Sequence, residues 1–192
     1  MKLLTRSTAI FIGAFALTIG FLKQPQPFCR KLNSLTNEQS DKAPLSSKRV
    51  LNCRIESQLY ENFTMKSLVM SNIDIVQSSF ARAVLSESSW ITLRADKANF
   101  SKLSAKSLQV TRSNLNGSSF RDADLRGMKM DHTSCENCDF RGADLSAAVV
   151  ILSSLKDSYY DHRTVLPFSE RTARALGMRK VDAEEQREET HE

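Results

Sequence analysis

The chain of 192 residues is poor in the residues that usually carry chemistry: three histidines, one tryptophan, four cysteines, and only six glycines and four prolines. Acid–base catalysis needs converging polar groups. His132 is on an outward column and His162 and His191 lie beyond the repeat, so no pair of them is placed together and an enzyme is not expected. The one C-x-x-C, Cys135-Glu136-Asn137-Cys138, has no second copy and no histidine pair to complete four ligands. Neither a zinc site nor any other cofactor is expected. Strong charge of one sign is missing as well. The formal charge of +5 divides into +2 over residues 1–22, +4 over 23–50, +1 over 51–160 and −2 over 161–192. Composition and length suit one core with appendages.

What is present is a five-residue period. Stepping by five from Ile55 through Tyr60, Met65 and Met70 to Leu155 and Tyr160, every residue is apolar. At 41% apolar overall, chance gives such a register odds of about one in 10⁸. A second column two residues earlier, from Cys53 to Ser158, holds only small or apolar residues apart from Gln58. Every charge between residues 51 and 160 falls in the other three columns. Two positions in five therefore point inward, which neither a 3.6 nor a 2.0 period produces.

A superperiod of twenty overlies it. Every fourth central residue is aromatic: Tyr60, Phe80, Phe100, Phe120, Phe140 and Tyr160. The column paired with them is Gln58, Ser78, Ala98, Ser118, Cys138 and Ser158, mostly short side chains against bulky rings. The pattern predicts a four-sided coil, five residues to a side, with the rings stacked up one side around a core that includes Leu125 and Leu145. At about 4.8 Å per turn, some five and a half turns make a rod roughly 25 Å long.

The units Ala123-Asp124-Leu125-Arg126-Gly127, Cys138-Asp139-Phe140-Arg141-Gly142, Ala143-Asp144-Leu145-Ser146-Ala147 and Ala98-Asn99-Phe100 resemble the pentapeptide-repeat family, whose unit is often written A-(D/N)-L-x-x. The resemblance implies an all-β solenoid, a right-handed quadrilateral β-helix, here over residues 51–160. Copies between 51 and 95 keep the inward columns but not the Ala and Asp/Asn preferences.

The flanks divide simply. Residues 1–22 begin with Lys2 and Arg6 and continue as an uncharged apolar run from about Ser7 to Leu22, which reads as a signal peptide or signal anchor. Residues 23–50 read as a flexible basic linker. After Tyr160, residues 161–181 should cap the coil. Ser169 is placed to cap a helix of about residues 170–176, Gly177 to stop it, and Val165, Leu166, Phe168, Ala173, Leu176 and Met178 to cover the last turn. Residues 182–192 are acidic and read as disordered.

Two outward features stand out. Stacking by twenty sets Arg82 below Lys102, Lys106 below Arg126 and Arg121 below Arg141, with Asp122, Asp124 and Asp144 among them, a mosaic of opposite charges. Elsewhere Val149, Ile151 and Leu152 point outward around Val150, a patch for the cap helix to cover or for a second copy to meet. Cys135 and Cys138 both fall in inward columns and read as small buried thiols. In an exported protein Cys29 and Cys53 are candidates for a disulfide clamping the linker to the first coil.

These features lead to a non-enzymatic scaffold or protein-interaction module, exported or tethered through residues 7–22, periplasmic or facing the exterior. Its partner is an unspecified protein, with self-association through the C-terminal end as a further expectation; nucleic acid is not expected. The family resemblance implies one alternative, a cytosolic mimic of DNA that binds a type II topoisomerase. That role needs a strongly negative surface, which +1 over the repeat does not supply.

Overall fold

The structure, a computed structural model, describes residues 48–181. The expected signal segment, most of the expected linker with Cys29, and the acidic residues 182–192 lie outside the described residues. Strands β1 (Arg49–Glu56), β2 (Val69–Val76), β3 (Ser89–Arg94), β4 (Gln109–Thr111), β5 (Lys129–Asp131) and β6 (Val149–Ile151) form one parallel sheet in chain order. Each is displaced by a single coil, so that Val50 pairs with Met70, Met70 with Trp90 and Met130 with Val150. On the other sides isolated parallel bridges do the same work, among them Ser79 with Asn99 and Ser104 with Asp124. The molecule is a right-handed quadrilateral β-solenoid.

The coil makes about seven turns, more than the five and a half read from the sequence. The difference lies at both ends. β1 begins at Arg49, and beyond Tyr160 the cap goes on stacking: β7 (Tyr159–Tyr160) pairs with β8 (Arg179–Lys180) across a short helix, α1 (Glu170–Ala175). Ser169 caps that helix by accepting from the Thr172 N–H.

Corners are set by one backbone column. The residue two after each central position has positive φ, from Asn52 to Asp157, whether it is Asn62 (64°), Asp122 (55°) or Gly142 (71°). One left-handed residue in every five turns an otherwise extended chain at each corner. The column is mostly Asn, Ser, Asp and charged residues, with glycine only at 117, 127 and 142. At Gly142 an added Cβ would also run into Asp122 Oδ1 and crowd the Arg163 guanidinium. Gly142→Ala should therefore destabilise the coil by about 2 kcal/mol, measured by thermal unfolding.

Tyr60, Phe80, Phe100, Phe120, Phe140 and Tyr160 are all buried, as are Leu125 and Leu145. The rings stack from Tyr60 on Phe80 (4.9 Å between centroids) to Phe120 on Phe140 (5.4 Å), and Trp90 tilts against Phe100. Among the described residues the series ends there. Tyr160, the expected sixth ring, makes no stack and instead lies beneath α1 and β8, where the cap replaces a regular coil. The small inward column also does more than fit. The Ser118 hydroxyl donates to the Ala95 carbonyl at 2.6 Å and accepts from the Ala98 N–H, so it satisfies backbone groups of the coil below.

Two further readings need correction. Cys135 and Cys138 are joined in a disulfide and are not free thiols. Their two columns meet across a corner, which brings the Cα atoms to 5.4 Å, the usual bridging distance. Alkylation of the native protein should label neither until it is both unfolded and reduced. Second, Val165 does not cover the last turn; it is 48% exposed. Leu166 packs inward in its place, with Phe168 and Leu176, while Ala173 and Met178 are buried. The cause is one extra residue in the turn after Tyr160. Asp124 bridges to Asp144 across twenty residues, but Asp144 bridges to Val165 across twenty-one.

That turn is held by Asp161, whose side chain is wholly buried. Its Oδ1 accepts from the backbone N–H groups of Gly142 (2.9 Å), Arg163 (3.0 Å) and Thr164 (3.1 Å) and lies 2.9 Å from the Thr164 hydroxyl. Oδ2 accepts from Arg163 Nε at 3.1 Å.

Candidate interaction surface

With the interior filled, function falls to the outer columns. On two adjacent sides the basic residues are interleaved with acids. Lys106 and Arg126 meet Asp124 at 3.5 and 2.8 Å, Arg121 and Arg141 meet Asp139 at 2.9 and 2.8 Å, and Arg163 meets Asp122 at 3.1 Å. The Arg126 hydrogen bond holds the Asp124 carboxyl below its usual range; burial opposes this more weakly. Arg82 and Lys102 have no ion pair among the described residues. Apart from Arg141–Asp139, which is largely buried, these pairs are exposed and add little stability, and the alternation of sign leaves no strong field. His132 stands outward with Nδ1 2.7 Å from Asp131 Oδ1. Among the described residues no cluster of His, Cys, Asp and Glu is arranged to hold a metal.

The sheet side differs. At its C-terminal end Val149, Ile151 and Leu152 are 49%, 38% and 76% exposed, so α1 does not bury them. Lys129, Asp131 and His132 lie one coil below. Leu152 also occupies a corner position, with φ of 45°. A leucine there is unfavourable twice over, by left-handed backbone and by apolar exposure. Leu152→Asn should stabilise the isolated protein by about 0.5–1 kcal/mol in chemical denaturation. A folding-only role for Leu152 would require the opposite sign.

Cys53 sits in the inward column of the first coil and is disulfide-bonded. Its proposed partner, Cys29, is outside the described residues, and comparison of reduced and non-reduced peptide masses tests that pairing.

The sequence model for Pentapeptide repeats matches residues 118–157 in eight copies. Similar solved structures include a trypsin-treated variant of QnrB1, described as a plasmid-mediated fluoroquinolone resistance protein. It is 12% identical, with 71% of this chain and 85% of that one covered and a TM-score of 0.41. Two others are alr5209, a pentapeptide repeat protein from Nostoc PCC 7120 (18% identical, 54% and 84% covered, TM-score 0.39), and the pentapeptide repeat protein Rfr23 from Cyanothece 51142 (16% identical, 62% and 88% covered, TM-score 0.24). No curated protein matches the chain. The eight matched copies lie within a coil that keeps the same five-residue rule on four sides, so the resemblance of residues 118–157 to the pentapeptide-repeat family and the fold around them agree.

Proposed function

We propose that the chain is a non-enzymatic interaction module, exported or membrane-tethered, whose sheet side docks a protein partner through Val149, Ile151 and Leu152. The observation that carries this reading is the patch itself: three exposed aliphatic side chains together on a flat parallel sheet, one of them held in a left-handed corner. Support for export comes from the apolar run of residues 7–22 and from the Cys135–Cys138 disulfide, which suits an oxidising compartment.

The test is co-purification from the envelope fraction with the wild-type chain and with Ile151→Ser/Leu152→Ser, quantified by mass spectrometry. The variant should keep its fold and lose one envelope protein at least tenfold; an unchanged set of partners would sink the proposal. Light scattering on the same pair separates a foreign partner from a second copy, since only in the latter case does the mass fall. Fractionation should find the protein outside the cytoplasmic membrane. A purified topoisomerase supercoiling assay should show no inhibition, and inhibition at modest protein concentration would favour DNA mimicry instead.

A further inference from the structure

We propose that the groove between α1 and β8, over the last coil, binds an acidic peptide segment of a protein partner; this rests on the interaction-module reading and gives it a second, chemically defined surface. The groove has a volume of about 500 Å³ and is lined by Tyr160, Glu170, Arg174, Met178, Arg179 and Lys180. Its floor is apolar, with Met178 buried and Tyr160 only 2% exposed.

The charge of the rim points to an anionic occupant. Arg174 forms no ion pair among the described residues, and its planar fork suits a carboxylate held through two N–H groups. Arg179 pairs with Asp157 and Lys180 with Glu170 across exposed surface, and such pairs exchange readily for an incoming carboxylate.

A peptide fits better than a small anion. The cations come from two elements, Arg174 from α1 and Arg179 and Lys180 from β8, so successive carboxylates along a chain reach separate stations. Among the described residues β8 has a neighbouring strand on one side only, the arrangement beside which an extended segment can lie.

The experiment is fluorescence anisotropy of fluorescein-labelled hexaglutamate with the full-length chain. Binding should weaken at least tenfold as salt is raised from low to physiological ionic strength and should be absent for hexalysine. Arg174→Glu, an exposed change whose fold is checked by thermal unfolding, should weaken it at least fivefold. Equal affinity of wild type and Arg174→Glu, or no binding up to millimolar protein, overturns the proposal. Markedly tighter binding after the acids of residues 182–192 are changed to amides would assign the groove to the chain's own acidic run and overturn the partner assignment. If hexaglutamate fails while Ile151→Ser/Leu152→Ser still strips an envelope protein, only the groove falls. If neither surface binds, the interaction-module reading falls with it.

Discussion

Phe120→Ala should lower the unfolding free energy by about 3–5 kcal/mol. Phe120 is fully buried and lies between two other rings, 5.1 Å from the centroid of Phe100 and 5.4 Å from that of Phe140. Its removal deletes apolar burial and two stacking contacts, and the resulting cavity has little means of closing. The four walls are fixed by coil-to-coil hydrogen bonds such as Phe120 N–H to Asp139 O at 2.8 Å, so the sides cannot collapse inward as a loosely packed helix might. Urea denaturation measures the loss, and Phe120→Leu, which refills most of the space, should recover more than half of it. A loss below 1 kcal/mol for alanine would mean that the ring column is not what holds neighbouring coils together. Because each coil touches only its neighbours, the damage should be greatest in the amides of the coils next to residue 120, as hydrogen exchange would record.

The same repetition explains what could be read from the sequence. Burial recurs at fixed positions, so the central column from Tyr60 to Phe140 and its small partners declare themselves without any knowledge of contacts. The corner column does not. Its requirement is a left-handed backbone, and residues as different as Asn62, Glu87, Lys97 and Leu152 meet it, so its largely polar composition does not set it apart from the other outward columns. The disulfide was equally hidden, since C-x-x-C is ambiguous until a corner sets Cys135 and Cys138 5.4 Å apart. At the candidate site, the apolar trio was legible because three outward positions in one unit lacked polar side chains. The groove was not, because Tyr160 and Arg174 are brought together only once the chain has passed through the extra residue and returned as β8.

That extra residue is why Asp161→Asn should be the most damaging polar substitution, costing about 3 kcal/mol at neutral pH. Asparagine keeps the shape but loses the charge that three backbone N–H groups, the Thr164 hydroxyl and the Arg163 guanidinium converge on. Burial by itself would raise the Asp161 carboxyl. The hydrogen bonds from the Gly142 N–H, the Thr164 hydroxyl and Arg163 together outweigh it and hold the group well below the usual carboxylate range. The sign of the pH dependence follows. A carboxyl whose folded pKa is depressed contributes its full stability above the unfolded value of about 4 and loses it progressively as pH falls toward the folded one. The stability difference between wild type and Asp161→Asn should accordingly be constant from about pH 5 to 8 and shrink below about pH 4. Unfolding midpoints of both proteins across that range test it. A difference that stays flat into acid would show that the carboxylate is not the group holding the turn. Loss at this position should also reach the proposed groove, because Asp161 fixes the register through which Tyr160 and β8 face each other. Hexaglutamate binding should therefore weaken in Asp161→Asn even at temperatures where the lower coils remain folded.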